Sequence, residues 1–291
     1  MEESLLEHIL HHDRSARSPR ENLARNYSAA QLVFEGAYAS ILRIYRFTPG
    51  VILGLNQSID DVNLGACEEQ GYDVVRRPSG GSAVIVDPDQ AICYSLFFSS
   101  GSSLPKPAPL YESFVLPLAS RLKGPASVDA YFYLYFEGTA QPVAGHAMVH
   151  HYDNAVTQID GIFHVADPDV ERFSRLLKMR TLYLEGDTPV IHADGAYYSR
   201  TGKVRSEVDA DALVFSRCER DEITRSLGLR SFGLDGSDVT EALVHAVRSR
   251  FGSAHLTDSF EYPSIDEHLV RVDAALTPKK WNGQGHCFID F

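Results

Sequence analysis

The clearest pattern in the chain is a pair of short β-branched runs separated by a turn of small residues. Val74-Val75 and Val84-Ile85-Val86 predict two strands, because β-branched residues favour the extended backbone. Two arginines, two serines, two glycines and an alanine lie between them: Arg76, Arg77, Ser79, Gly80, Gly81, Ser82 and Ala83. Glycine lets a ligand approach the backbone closely, and arginine carries a fixed positive charge. The pattern predicts an anion-binding loop, with a solvated hairpin loop as the alternative.

Elsewhere the spacing of apolar residues predicts an alternation of helices and strands. Helices are predicted over 22–36, 60–70, 110–122, 167–179, 209–227 and 237–251, with a short amphipathic one inside 1–21. Strands are predicted over 41–47, 50–54, 91–98, 130–136, 138–147 and 154–165. The first two strands are predicted to form a hairpin about Thr48-Pro49. Residues 180–205 are predicted to have irregular structure.

Composition limits the classes of function that the chain can serve. The 291 residues carry a net charge of −12, which argues against a general nucleic-acid or anionic-membrane surface. No apolar run approaches the roughly 20 residues needed to span a bilayer. The four cysteines are scattered without a C-x-x-C spacing, so we expect reduced thiols, no metal site and a cytoplasmic location.

The loop and the sequence before it resemble those of a known family. Arg-Arg-x-Ser-Gly-Gly-x-Ala-Val at 76–84 follows the stretches 42–47, 49–57 and 60–63 in a characteristic order. Together they resemble the lipoate–protein ligase and octanoyltransferase family, of which the biotin protein ligases are more distant relatives. The resemblance covers residues 22–100 well and 130–180 loosely.

The resemblance implies an α+β fold with a largely antiparallel central sheet flanked by helices, as in the biotin/lipoate ligases. It implies a ligase or acyltransferase core over 22–235, followed by a C-terminal extension over 236–291 that either packs on this core or stands apart. The implied function is attachment of lipoate or octanoate to a lysine of a carrier, either a lipoyl domain or a glycine-cleavage-H-type protein. A ligase would use ATP with magnesium, whereas a transferase would not.

One feature of the family is missing from this sequence. Family members carry Gly-x-Lys-Ile-x-Gly-Ser-Ala on a strand, and the matching stretch here is 140–147, where Val143, Gly145 and Ala147 fit. The lysine position holds Pro142, which has neither a charge nor an N–H donor. A branch of the family uses a cysteine near the next strand, but residues 160–165 contain none.

The resemblance and the residues together give a candidate site. Arg76 and Arg77 are expected to pair with phosphate, the loop to cover the activated acyl group, and Val84 and Val143 to line the acyl chain beside Gly145. Lys203 and His146 are the candidate catalytic groups in place of the lysine. The alternatives are a solvated loop lysine and a polar strand histidine.

The missing lysine keeps a second class of function open. A chain that has lost it could serve as a non-catalytic subunit that binds a ligand or a carrier domain beside a partner subunit. The intact Arg-Arg-x-Ser-Gly-Gly loop favours the enzyme. A biotin ligase is a third reading, disfavoured because its glycine-rich loop and lysine motif are not matched.

Overall fold

The fold was analysed in a computed structural model. It describes residues 7–276, apart from 56, 58, 60–61, 82, 102–104, 129–131, 170–171, 173–174, 178–182, 186–187, 194–195, 200–203 and 208–226. Of the predicted site residues, Ser82 and Lys203 therefore lie outside the described residues, as does nearly all of the predicted helix at 209–227.

The centre of the described structure is an eight-stranded, mostly antiparallel sheet. In spatial order its strands are β15 (His255–Thr257), β1 (His8–Arg17), β2 (Ser40–Phe47), β6 (Ala91–Ser99), β10 (Val156–His164), β9 (Ala144–His151), β8 (Tyr133–Phe136) and β7 (Ala126–Val128). Only β1 pairs in parallel, with β2 on one side and β15 on the other. This arrangement confirms the predicted α+β class.

A smaller sheet forms next to the large one. β3 (Gly50–Leu53) lies at its centre, parallel to β4 (Asp73–Arg76) and antiparallel to β5 (Val84–Val86). The predicted hairpin of β2 and β3 is therefore wrong, because the chain leaves the large sheet at Thr48-Pro49 and enters the small one. The turn signal was read correctly, but proximity in sequence did not decide strand pairing.

Helices cover both faces of the large sheet. The described helices are α1 (Pro19–Phe34), α2 (Leu64–Glu69), α3 (Pro107–Lys123), α4 (Gly236–Phe251) and α5 (Ile265–Ala274), with a 3₁₀ turn at Leu229–Phe232. On one face, α3 and α4 bury apolar side chains such as Phe114, Val115 and Leu243. On the other, Leu23 and Tyr27 of α1 pack with residues of the small sheet. We call these the helix side and the loop side.

Alternation along the strands assigns each residue to one side. Arg43, Ser95, Asp160 and Ala147 are register partners across β2, β6, β10 and β9, and they share the loop side. The next row, Ile44, Tyr94, Gly161 and His146, lies on the helix side. Successive residues of one strand therefore belong to different environments.

Two further sequence predictions are corrected by the structure. The predicted amphipathic helix inside 1–21 is wrong, because His8–Arg17 forms β1, a strand paired on both edges in which Ile9 and Leu10 are buried. Part of 180–205, predicted to be irregular, forms a separate antiparallel sheet: β11 (Tyr183–Glu185), β12 (Thr188–Ala193), β13 (Ala196–Ser199) and β14 (Val204–Glu207). In both segments, backbone pairing outweighs a weak local apolar pattern.

The C-terminal segment shares the cores of the rest of the chain. α4 contributes Val239, Leu243 and Val247 to the helix-side core, and Val272 of α5 packs into the loop-side cluster with α1. The predicted boundary at 235 stays a prediction.

Candidate functional site

The loop between β4 and β5 is held against the end of β3. Since β4 and β5 pair with opposite edges of β3, the chain from Arg77 to Ala83 has to pass the end of that strand. The backbone N–H of Arg77 donates to the carbonyl of Leu53 at 2.9 Å, and the N–H of Leu55 donates to the carbonyl of Ser79 at 2.9 Å. These hydrogen bonds fix the loop on both sides of Pro78.

Two glycines bring the loop and the β3 end into close approach. A Cβ on Gly54 would lie 1.9 Å from the carbonyl oxygen of Gly81, so no other residue fits at position 54 without a shift of backbone. Gly81 has φ +93°, a conformation that side chains disfavour. Gly80 is exposed and a Cβ there would meet nothing within 4 Å, which leaves room for a ligand above it.

Arg76 is buried and directed towards backbone carbonyls. Its Nε donates to the carbonyl of Ala275 at 2.8 Å, and its Nη1 donates to the carbonyls of Gly54 at 2.9 Å and Gln57 at 2.5 Å. The guanidinium thus ties the end of α5 to the turn after β3. These contacts favour a supporting role beneath the loop, and the predicted pairing of Arg76 with phosphate stays a prediction.

Arg77 lies closer to the surface of the loop side. It donates to the carbonyl of Ile52 at 3.0 Å and to that of Gly80 at 2.7 Å, so it stabilises the turn that the two glycines form. Burial lowers the pKa of Arg77 to about 10, and the nearby Asp160 and Tyr133 act in the opposite direction. Arg77 therefore keeps its positive charge at neutral pH.

Below the loop lies a carboxylate that sequence reasoning did not single out. Asp160, in the middle of β10, accepts hydrogen bonds from Ser95 Oγ at 2.6 Å and Gln158 Nε2 at 2.6 Å on Oδ1, and from Ser79 Oγ at 3.3 Å on Oδ2. Ser79 is itself buried, whereas Asp160 keeps part of its surface exposed. Desolvation raises the pKa of Asp160, and these hydrogen bonds and the charge of Arg77 oppose that effect.

The hydrogen bonds of Asp160 continue into a buried polar network. Ser95 Oγ bonds Tyr45 Oη at 2.9 Å and accepts from Asn26 Nδ2 at 3.1 Å, and Asn26 Oδ1 accepts from the guanidinium of Arg43. Arg43 is fully buried and lies 4.5 Å over the ring of Tyr45. A cation and its partners thus fix the serine that holds the carboxylate.

The structure places His146 on the side away from the loop. Its ring lies among Tyr94, Tyr111 and Phe163, with centroid separations of 5.9, 5.8 and 6.1 Å. His146 Nδ1 bonds the carbonyl of Phe132 at 3.2 Å, and burial lowers the pKa of His146 to about 4. The imidazole is therefore neutral at physiological pH and is not brought together with Ser79 or Asp160. Its catalytic role stays a prediction that this placement does not favour.

The remaining predicted residues divide between the two sides. Gly145 lies on the loop side, where a Cβ would lie 3.4 Å from the ring of Tyr133 and 3.9 Å from a methyl group of Ile162. Val84 and Ile162 are partly exposed apolar neighbours of the loop-side cluster. Val143 lies in the helix-side core, and so the structure does not bring it together with the loop. Pro142 is buried and its carbonyl accepts from the N–H of Leu227 at 2.8 Å.

We call the following residues of the loop side together the loop-side surface: Arg77, Val84, Tyr133, Gly145, Asp160 and Ile162. It combines an apolar floor, one cation and one carboxylate under a glycine-rich turn. A groove of about 750 Å³ also exists between α3 and α4, lined by residues such as Ser120, Arg121 and His245. That groove is outside the sheet on the helix side and contains no loop residue. We therefore assign the candidate site to the loop side.

Within the described part of the chain, no group of three or more His, Cys, Asp or Glu side chains is placed to hold a metal ion. None of the described helices is long and apolar enough to cross a membrane.

The sequence did contain a signal for the polar network. Arg43, Ser95 and Asp160 each interrupt a short run of non-charged, mostly apolar residues, in Leu-Arg-Ile, Tyr-Ser-Leu and Ile-Asp-Gly. A charged side chain at such a position is rarely buried without partners, so the three interruptions together indicate a polar cluster inside the fold. Their mutual contact depends on strand register, which the sequence does not specify.

Comparison with known proteins agrees with the geometry. Residues 18–189 match the family model of the lipoyl protein ligase A/B catalytic domain. That segment is more than half of the chain, and it contains the loop, the small sheet, β6, β9 and β10. The chain belongs to this family. The resemblance predicted from the loop is thereby confirmed.

Curated relatives match over shorter segments. An octanoyltransferase LipM of Lysinibacillus sphaericus is 31% identical over 119 residues, which are 40% of this chain and 42% of that protein. An octanoyltransferase LipM of Carboxydothermus hydrogenoformans is 37% identical over 75 residues, 25% of this chain and 28% of that protein. The chain thus spans less than half the length of each of these two relatives.

Solved structures share the fold over nearly the whole chain. A bi-partite lipoate protein ligase from Thermoplasma acidophilum, solved in a study with its E2 lipoyl domain, aligns with a TM-score of 0.65 at 16% identity, covering 98% of this chain and 100% of that one. A lipoate-protein ligase A bound with ATP aligns with a TM-score of 0.62 at 16% identity, covering 91% and 93%. These likenesses confirm the predicted biotin/lipoate ligase-like fold.

Proposed function

We propose that this protein is an acyltransferase or ATP-dependent ligase that attaches a lipoyl or octanoyl group to a lysine of a lipoyl-domain carrier. The observation that carries the proposal is the Arg-Arg-x-Ser-Gly-Gly loop held directly over β10, with Ser79 Oγ 3.3 Å from Asp160, inside the segment that matches the family model. A carrier of the glycine-cleavage-H type is a second acceptor of the same chemistry. A cytoplasmic location, where such carriers work, is part of the proposal.

The loop-side surface suits both halves of such a substrate. Val84 and Ile162 offer an apolar floor for an aliphatic chain, and the ring of Tyr133 packs over Gly145 next to Ile162. The amides around Gly80 and Gly81, beside Arg77, suit an anionic group, because backbone N–H groups in such turns bind anions.

ATP fits this arrangement as a co-substrate. The exposed Gly80 has open space beside it for phosphate, and Arg77 supplies a positive charge nearby. ATP would supply activation of the free carboxylic acid. Magnesium would have to be held largely by the phosphates and water, as this ion commonly is.

Intact-mass measurement of a purified lipoyl domain tests the proposal. The native protein is incubated with the domain and either lipoate plus Mg-ATP or an octanoyl thioester donor, and we expect the mass of one acyl group on the acceptor lysine with at least one donor. Gly81→Ala should lower that yield about tenfold or more, because φ +93° strains any side chain. The matched variant Gly80→Ala reports ligand approach, since nothing in the protein opposes its Cβ.

A native protein that modifies no lipoyl domain with either donor would contradict the enzyme. If it still bound the domain or the acyl ligand in calorimetry, the buried Pro142 in the family lysine position would point to the non-catalytic binding subunit.

A further inference from the structure

Asp160 is the one charged residue of β10 on the loop side, and neither acyl binding nor phosphate binding requires it. It lies between the apolar residues Ile159, Gly161 and Ile162 and keeps part of its surface exposed. Since an isolated carboxylate in such a strand is costly, its retention calls for a function or a structural partner.

The hydrogen bonds of Asp160 hold it in one orientation. Oδ1 accepts from two donors at 2.6 Å, from Ser95 and Gln158, whereas Oδ2 has only the longer contact of 3.3 Å with Ser79. Gln158 is in turn fixed by His151 Nε2 at 2.6 Å from its Oε1. One carboxylate oxygen is thus anchored by the sheet and the other is directed to the loop.

The surroundings of Asp160 favour a neutral or positively charged partner. The charged and titratable groups placed around it come from four strands, two helices and the loop: Arg77, Arg43, Tyr45, Cys93, Tyr94, His151, Tyr133, Tyr27 and Tyr111. Two arginines supply positive charge in this set, and among the described residues Asp160 Oδ2 has only the 3.3 Å contact with Ser79 Oγ. The carboxylate therefore retains capacity to bind another cation.

Resting on the proposed function, we propose that Asp160 binds the ε-ammonium group of the acceptor lysine and takes its proton. A lysine enters as an ammonium ion with a pKa of about 10.4, and only the free amine can attack an acyl carbon. An anchored carboxylate at the floor of the site is suited to both tasks.

The step balances as follows. One proton of the ammonium passes to Asp160 Oδ2, and the nitrogen lone pair forms the new bond to the activated acyl carbon. The bond from that carbon to the oxygen or sulfur of the leaving group breaks, and the leaving group keeps the electron pair. The amide nitrogen loses a second proton to solvent, and Asp160 returns its own to the leaving group or to solvent. No oxidant or metal is required.

A purely structural role makes a different prediction. If Asp160 only held Ser79 and the loop in place, its loss would impair every use of the acyl donor alike. If it receives the acceptor lysine, its loss would impair transfer to lysine far more than transfer to an amine that is already neutral. Hydroxylamine is such an amine at neutral pH.

The experiment is a single-turnover assay with a preformed octanoyl donor and two acceptors, a lipoyl domain and hydroxylamine, with protein-free reactions subtracted. We expect Asp160→Asn to slow transfer to the lipoyl lysine about 100-fold, the lower end of the range for general acid–base groups. Transfer to hydroxylamine should change less than about threefold, and the loss with lysine should shrink as pH rises towards the lysine pKa of about 10.4. Asp13→Asn is the control, because Asp13 is a buried carboxylate that pairs with Arg17 on β1.

Ser95→Ala is the second variant, for the case that Asp160→Asn does not fold. It keeps the carboxylate but removes a 2.6 Å hydrogen bond from it, and we expect the pH profile of lysine transfer to shift without loss of hydroxylamine transfer. Equal loss with both acceptors, or no loss with lysine, would overturn the role of Asp160. A native protein inactive with both acceptors would instead overturn the proposed function.

Discussion

Buried polar groups on the two sides of the β9–β10 pair differ in how they are hydrogen-bonded. On the loop side, Asp160, Ser95 and Gln158 are joined by hydrogen bonds of 2.6 Å. On the helix side, Tyr94 Oη, Tyr111 Oη and His146 Nε2 are buried with no hydrogen-bond partner among the described residues. An unpaired buried polar atom costs about 1–3 kcal/mol. On the loop side Arg43 Nε also lacks a partner among the described residues, but the two terminal nitrogens of the same guanidinium are hydrogen-bonded to Asn22 and Asn26.

From this difference we infer that the loop side is the side suited to a charged ligand. The helix side is stabilised by ring packing, for example the stacked pair Tyr111 and Phe132 at 4.4 Å, and its polar atoms are secondary to that packing. The loop side holds its polar atoms in fixed orientations and leaves a carboxylate partly exposed. Pre-arranged polar groups are what a site needs to act on developing charge.

The two sides should differ most in how the free energy of unfolding depends on pH. Burial lowers the pKa of His146 from 6.5 to about 4, so the unfolded chain binds a proton that the folded chain does not, and stability is lost as pH falls from 6.5 towards 4. His146→Phe should remove about 3 kcal/mol of that loss between pH 7 and pH 4, measured by urea unfolding.

Urea unfolding of Asp160→Asn over the same pH range should show a dependence of stability on pH that is opposite in sign to that of His146. The pKa of Asp160 is raised, so the folded protein binds the extra proton, and stability is lost as pH rises through the carboxyl range. Native protein should therefore lose stability relative to Asp160→Asn as pH increases from about 4, the ordinary aspartate pKa. A pH-independent difference for either variant would show that the group does not titrate as the structure implies.

Removing one tyrosine hydroxyl on each side should give a smaller difference in the free energy of unfolding. Tyr45→Phe removes a hydroxyl that bonds Ser95 and Asn26, and should cost about 1 kcal/mol of unfolding free energy. Tyr94→Phe removes a buried hydroxyl without a partner in the described structure, and should change stability by less than about 0.5 kcal/mol or increase it. Equal losses from the two variants would mean that Tyr94 Oη has a partner such as a buried water.

Part of this arrangement was predictable from the sequence. The β-branched runs and the small residues between them predicted β4, the loop and β5, because those signals are local. The strand period of two also places Gly145 and His146 on opposite sides, so the two cannot both face the loop. The alternation of sides along β9 does not apply to Val143, because that strand begins at Ala144.

The rest depended on contacts between distant segments. The network from Arg43 through Ser95 to Asp160 forms only when β2, β6 and β10 pair in one register, which turn residues and apolar patterns do not specify. The adjacent apolar residues Ile9 and Leu10 do not show the alternation of a strand, and β1 forms because it pairs in parallel with β2 and β15.

Photo-crosslinking tests most directly the claim that the acyl group binds on the loop side. A medium-chain fatty acid with a diazirine near its methyl end is irradiated with the protein in the presence and absence of excess octanoate, and the labelled residues are identified by peptide mass spectrometry. We expect octanoate-sensitive labelling of Val84 or Ile162, which are partly exposed on the loop side. Labelling confined to α3, at Tyr111 or Phe114 in the helix-side core, would contradict it.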